Sequence, residues 1–270
     1  MPQITFDKTE PFYIEKASFK APLAMMHYHH GFELYYVVHG EREYFIGDHF
    51  YQVHEGDLVL IPNDLLHRTA GKGALRYLLY FSRDFLARYL TAETISALPL
   101  DAPAVYRVGP HIRTTLEQGL EDIYTTFEGG RQQDTATEAY LASSLAHLLL
   151  LLTRTPNHYV QADFSDKRIA DIVRYINEQY SAIEGIDQIA ERFYISKYHL
   201  CRIFNKNLGV SLISYLNTIK IRAAIELMQS THLNITDIAT RSGFNSSSYF
   251  CKVFTDETGL SPTAYRKKLL

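Results

Sequence analysis

The sequence predicts a chain of mixed class: an N-terminal β-barrel with two following helices, then an all-α C-terminal domain built on two helix-turn-helix units. Three observations lead there. Between residues 20 and 108, short runs rich in Tyr, Phe, Val, Ile and Leu alternate with glycine-bearing breaks. Beyond residue 109 the apolar spacing changes to steps of three and four. The C-terminal region then writes one pattern twice, at an offset of 49 that becomes 50.

Residues 1–20 read as an arm without clear period, and MPQITFDKTEPFYIEK lacks the apolar stretch of a signal peptide. FELYYVV, EYFI, FYQV, LVLI and LRYLLYF read as strands, and HGE, GDH, EGD, PND and AGKG as the turns between them. Ile112, Leu116, Leu120, Ile123 and Phe127 mark one face of a helix that Gly129-Gly130 stops. TATEAYLASSLAHLLLLLTR predicts a second helix, with Tyr140, Leu141, Leu145, Leu148 and Leu152 along one side. Its C-terminal half is apolar nearly all round, so either the β domain or the same helix of a second copy must cover it. The pair over 109–155 is therefore expected to mediate a homodimer. The most apolar run, Leu145–Leu152, is far short of the ~20 residues that span a bilayer. It reads as a buried helix, and no membrane association is expected. RTPNHYVQADFSD reads as a linker, placed at 156–166, and a helical domain fills 167–270, opening with Ile169, Ile172, Val173 and Ile176 on one face.

The repeat carries the strongest signal. Ile186, Ile189, Ala190 and Arg192 return as Ile235, Ile238, Ala239 and Arg241. Ser196, Cys201, Arg202, Ile203, Phe204, Gly209, Ser211 and Tyr215 then return as Ser246, Cys251, Lys252, Val253, Phe254, Gly259, Ser261 and Tyr265. Each copy predicts a short helix, a tight turn, and a second helix that begins at a serine or asparagine and ends at a glycine. Two short helices so joined form a helix-turn-helix, whose second helix can enter a DNA major groove. With Leu200, Ile203, Phe204 and Phe250, Val253, Phe254 inward, Lys197, Tyr198, Cys201, Arg202 and Asn205 face out in copy one. Ser246, Ser247, Ser248, Tyr249 and Lys252 face or flank the open side in copy two. Arginine pairs with guanine, and hydroxyls at a helix start suit phosphates. Lys220 and Arg222, on the helix between the copies, are candidates for backbone contacts. Charge agrees: residues 166–270 hold 14 Lys and Arg against 10 Asp and Glu, while the remainder of the chain carries 13 against 20.

Residues 167–270 closely resemble the DNA-binding domain of AraC/XylS-type transcription regulators. The resemblance rests on IDQIAERFYISKYHLCRIFNKNLGVSLISYL, IKIRAAIELM and ITDIATRSGFNSSSYFCKVFTDETGLSPTAYRK. It implies seven helices and binding to asymmetric promoter DNA. By motif position it implies base reading by Tyr198, Cys201 and Arg202 in copy one and by Ser247, Ser248 and Lys252 in copy two. A thiol is a poor hydrogen-bond partner, so Cys201 is a weak reader.

Seven of the twelve histidines lie between His27 and His67. His27, His29 and Glu33 share parity, so on one extended strand they would face one way. With His67 brought alongside, the set suits a divalent transition metal. This spacing resembles the two motifs of the cupin β-barrel. In regulators such barrels often hold a small organic effector instead of a metal. The wall of that pocket would include His29, Glu33, Tyr35, Tyr44, His67 and Tyr80.

Three functions follow. The first is a transcription regulator controlled by a small polar effector, for which the wealth of tyrosines suggests a sugar. The second is a metal-dependent cupin enzyme with an appended DNA-binding domain. The third is an effector-independent dimeric regulator. No acid–base pair or nucleophile motif supports the enzyme. The cysteines, Cys201 and Cys251, form no CxxC pair and fit a reducing cytoplasm. Promoter DNA, an effector, a second copy of the chain and RNA polymerase are the expected partners.

Overall fold

A computed structural model describes residues 11–19, 26–47, 49–63, 65–129, 134–154 and 167–269. These fall into two compact units, one within the first 162 residues and one from 163 onward. The expected linker at 156–166 lies outside the described residues.

The first unit is an antiparallel sheet followed by helices. Its strands are β1 (Phe12–Phe19), β2 (Phe32–Ile46), β3 (His49–His54), β4 (Asp57–Ile61), β5 (His67–Phe81) and β6 (Ala104–Arg107). They pair in the order β1-β5-β2-β4-β6, with β3 added to β2. β1 falls in the stretch read as an arm. Phe12 and Ile14 point into the core, but the next residue of that parity is Lys16. Its ammonium pairs with Glu121 at 2.6 Å, so a cation masks the period of two.

The breaks HGE and AGKG are not turns. β2 and β5 run through them as two long paired strands, with register shifts at Val37/His39 and Glu41/Glu43. Gly40 has φ +100° there, and a Cβ on it would stand 2.7 Å from the Gly73 carbonyl oxygen. These glycines therefore make bulges, which bend a long strand without ending it. Two short helices, α1 (Arg83–Ala87) and α2 (Ala92–Ser96), follow β5, capped by Ser82 and Thr91.

α3 (Pro110–Gly129) and α4 (Thr135–Leu152) cover one face of the sheet. Leu34, Tyr36, Leu58, Leu60, Tyr77 and Leu79 meet Leu116, Leu120, Ile123, Leu141, Leu145, Leu148 and Leu152 in one core. Polar clasps orient α3. The Tyr36 hydroxyl donates to Glu117 at 2.5 Å, and Tyr77 bonds Glu121. α4 is long and apolar enough to cross a membrane by length and composition. Its apolar side is part of the sheet core, which is the reading its sequence predicts. Tyr140 departs from that reading: it is exposed with Leu150, and Ala142, Ala146 and Leu149 fill the buried side instead.

The second unit has seven α-helices among the described residues: α5 (Lys167–Gln179), α6 (Ile186–Arg192), α7 (Lys197–Leu208), α8 (Leu212–Ser230), α9 (Ile235–Arg241), α10 (Ser247–Thr258) and α11 (Pro262–Leu269). Ile169, Ile172, Val173 and Ile176 of α5 are fully buried. A 3-10 turn, Tyr180–Ala182, joins α5 to α6. α8 runs between the copies and packs with both. Lys220 on α8 is buried, and its ammonium donates to the carbonyls of Ile183 at 2.8 Å and Gly243 at 2.6 Å. The expectation of a phosphate contact at Lys220 is thus corrected. Two backbone acceptors hold this charge inside, tying α8 to the turn after α5 and the turn of the second copy.

Candidate nucleic-acid interface and barrel interior

The two copies are built by the same local chemistry. Ser196 caps α7 and Ser246 caps α10, their hydroxyls accepting from the amides of His199 and Tyr249. Both helices end at a glycine in the left-handed region, Gly209 at φ 69° and Gly259 at φ 73°. That conformation costs an L-residue roughly 1–2 kcal/mol and glycine almost nothing. Leu200, Ile203 and Phe204 seat α7, and Phe250, Val253 and Phe254 seat α10, all buried.

What remains outward is the candidate interface. On α7, Lys197, Tyr198, Arg202 and Asn205 are exposed, Tyr198 at 80%. Cys201 is half-buried between them. The Arg202 guanidinium is 3.4 Å from the His199 ring nitrogen and otherwise faces solvent. Lys197 donates to Asp187 at 2.8 Å in an exposed pair of the kind worth at most about 1 kcal/mol, so a phosphate can compete for it. On α10, Ser246, Ser247, Ser248, Tyr249 and Lys252 are exposed. Tyr249 is partly committed: its hydroxyl accepts from Asn217 of α8 at 3.0 Å. Arg222 is half-buried on α8.

Sequence reasoning missed Tyr194. It lies in the turn of the first copy, 93% exposed, at φ +53°. The residue in its place in the second copy is Gly243, so the repeat alignment held the signal.

In the first unit, the second face of the sheet curls around its own side chains. Tyr35, Val37, Tyr44 and Ile46 of β2 pack with Tyr51, Val53, Val59, Ile61, Leu78, Tyr80 and Val105 from the other strands. All six residues expected to line a pocket are buried: His29, Glu33, Tyr35, Tyr44, His67 and Tyr80. The reason for their convergence differs from the one the spacing suggests. His27, His29 and Glu33 do not share a strand, because the chain bends at His30 and Gly31 and β2 begins at Phe32. His27 instead pairs with His67 through two backbone hydrogen bonds of 2.9 Å.

Glu33 is the centre of this group. One carboxylate oxygen is 3.2 Å from His29 Nε2 and 3.5 Å from His67 Nε2. The other accepts from the Tyr44 hydroxyl at 3.3 Å. Tyr80 also bonds this carboxylate, and its ring meets His29 at 4.9 Å. Burial works to raise the Glu33 pKa, but the imidazoles of His29 and His67 reverse it and hold the carboxyl well below its ordinary value. Burial and the nearby carboxylate push the Tyr44 and Tyr80 hydroxyls up, so both remain proton donors.

The ring tautomers sharpen the chemistry. Nδ1 of His29 donates to the Gly31 carbonyl at 2.7 Å, and Nδ1 of His67 donates to that of Leu65 at 2.7 Å. The Nε2 atoms of both rings thus face the same Glu33 oxygen, an arrangement that a bound cation would complete. His67 Nε2 is fully buried without a hydrogen-bond partner. The donor atoms of His27, Glu33 and His67 lie within 4.8 Å of one another. Backbone carbonyls on the far ring nitrogens are the arrangement usual for metal-binding histidines. The residues present thus fit a divalent transition metal. The Tyr35 hydroxyl is a further buried group without a partner, and burial raises its pKa to about 12.

Comparison with known proteins agrees with both units. The profile of the AraC-like ligand binding domain matches residues 13–150, and that of a helix-turn-helix domain matches residues 189–268. The HTH-type transcriptional regulator YfiF of Bacillus subtilis is 30% identical over 90% of this chain and 78% of its own length. YijO of Escherichia coli, also an HTH-type transcriptional regulator, is 30% identical over 61% of this chain and 56% of its own. Among solved structures, ToxT from Vibrio cholerae aligns over 97% of this chain and 99% of its own, at 15% identity and a TM-score of 0.37.

Proposed function

The chain belongs to the AraC-type DNA-binding transcription regulators, and from that premise we propose that it reads promoter DNA with α7 and α10 under the control of a small polar effector held by the curled sheet. Its relatives are regulators by name, so the enzyme alternative is set aside.

The observation that carries the DNA reading is the double construction of α7 and α10. Each helix is fixed by a serine cap, a left-handed glycine and three buried apolar residues, and each turns an exposed polar row outward. Arg202 is the base reader of the first row, flanked by Tyr198 and Cys201. Ser247, Ser248 and Lys252 form the second row, which suits phosphates and looser readout. Ser196, Lys197, Ser246 and Tyr249 hold the helix starts against the backbone. Gel-shift titration with competitor DNA at physiological salt tests this. Arg202→Ala is expected to lower specific affinity about 5- to 100-fold, the value of one bidentate base contact. Unchanged affinity would remove α7 from the interface.

The effector reading rests on Tyr35, Tyr44, Tyr80, His29, Glu33 and His67 sharing one buried face, with the Tyr35 hydroxyl unpaired. A hydroxyl-rich ligand such as a sugar would satisfy that hydroxyl and stack on the rings. A divalent transition metal, where present, would be held by His27, His29, Glu33 and His67 and would offer a Lewis-acidic anchor to an effector oxygen. Metal analysis of purified protein against His29→Ala, and thermal-shift screening with a sugar panel, test the two parts separately. A metal-free wild type sets aside the metal, and a panel without any shift sets aside the sugar.

We further infer a cytoplasmic homodimer that contacts RNA polymerase at its promoters. Support for the dimer is the outward stripe of α4, where Tyr140 and Leu150 are 48% and 38% exposed.

A further inference from the structure

Among the described residues, Tyr194 is the one non-glycine residue in the left-handed region, at φ +53°. A bulky residue there is a genuine outlier and carries backbone strain. Strain of this kind persists only where something over-determines it or function uses it. The second copy shows the inexpensive solution. Gly243 occupies the same turn position at φ +86°. A side chain is impossible there, since a Cβ would stand 2.7 Å from the Ser181 Cα and 2.8 Å from its carbonyl oxygen.

The first copy has neither the glycine nor a packing reason for tyrosine. Tyr194 is 93% exposed, the highest among the exposed large apolar and aromatic side chains of the described residues. Burial therefore does not offset its strain. Its neighbours do the anchoring: Phe193 packs edge-on against Tyr175 of α5 at 5.7 Å, and Ile195 donates its amide to the Ala190 carbonyl at 3.0 Å. Tyr194 is thus held outward by a turn that would be better served by glycine. It stands two residues before the Ser196 cap of α7 and four before Tyr198, which is 80% exposed. An aromatic ring with a hydroxyl, projected beside the start of a reading helix, has the chemistry of a sugar–phosphate contact.

We propose that Tyr194 is a DNA-contacting residue, gripping the sugar–phosphate backbone at the edge of the groove that α7 enters. This rests on the reading of α7 as a DNA-binding helix. It adds a contact that the second copy cannot make, because Gly243 has no room for one.

Two variants of the full chain test it by thermal unfolding and by gel-shift titration on a selected operator and on random DNA. Tyr194→Gly removes strain and contact together. The expected result is a melting temperature equal to or a few degrees above wild type, with affinity for operator and random DNA lowered about tenfold alike. Tyr194→Phe keeps the strain and the ring and loses the hydroxyl, so its melting temperature stays at the wild-type value while affinity falls severalfold. Wild-type affinity in Tyr194→Gly would overturn the proposal. A clear loss of stability in that variant would overturn it too, since the tyrosine would then be structural. Arg202→Ala runs beside them. If the wild type shows no specific binding for Arg202→Ala to lose, the DNA reading of α7 fails; if Arg202→Ala weakens binding and Tyr194→Gly does not, only the present proposal fails.

Discussion

At the scale of single residues, the two outward rows are unequal. Arg202 on α7 offers the planar fork that recognises guanine, while Lys252 on α10 offers a point charge beside serines. Lys252→Ala is therefore expected to weaken binding to all sequences alike and to lower the slope of log affinity against log salt by about 1. A change in base preference at one position would contradict that role. Glu257 gives a prediction about stability. Burial raises its pKa above the ordinary 4.5, partly opposed by the Thr218 hydroxyl. Between 4.5 and that raised value the folded state holds more protons than the unfolded one, so this group lowers stability as pH rises through the window. Glu257→Gln removes the penalty. Thermal unfolding should show the variant more stable than wild type at pH 7 and equal to it near pH 4; a loss at neutral pH would contradict this.

At the scale of elements, the helical unit was legible because its signals are local. Caps, left-handed glycines and apolar spacing all lie within one helix, from Ser196 to Gly209 and from Ser246 to Gly259, and the repeat states them twice. Gly259 tests one of these signals cleanly. A Cβ there meets nothing within 4 Å, so Gly259→Ala should cost only the backbone term, about 1–2 kcal/mol, measured by denaturant unfolding. A neutral substitution would contradict the role of the left-handed cap. The β unit was less legible because its decisive contacts are remote. Whether Gly40 turns a chain or bulges a strand is settled by β5, where its partner is Ala74. Lys220 reads as a surface cation until the carbonyls of Ile183 and Gly243 enclose it. The convergence of His27, Glu33 and His67 was expected, but strand parity was the wrong reason. A bend at His30 and Gly31 and the bridge to His67 bring them together. Lys220→Met should cost about 2–3 kcal/mol, since two buried carbonyls lose a charged donor, and unfolding curves check it.

At the scale of the whole molecule, regulation requires that an effector bind two arrangements of the chain with different affinity. The curled sheet and the helical unit each have buried clusters of their own. An effector that only tightened the sheet would stabilise that unit without altering operator affinity. An effector that regulates must alter both.

The central claim is that the first helix-turn-helix carries most of the sequence specificity and the second adds affinity. Quantitative binding of the wild type to an operator library, each base substituted singly across both half-sites, tests it directly. Substitutions under α7 should cost about 1–3 kcal/mol each, and those under α10 distinctly less. Equal costs in the two half-sites, or larger ones under α10, would contradict the claim.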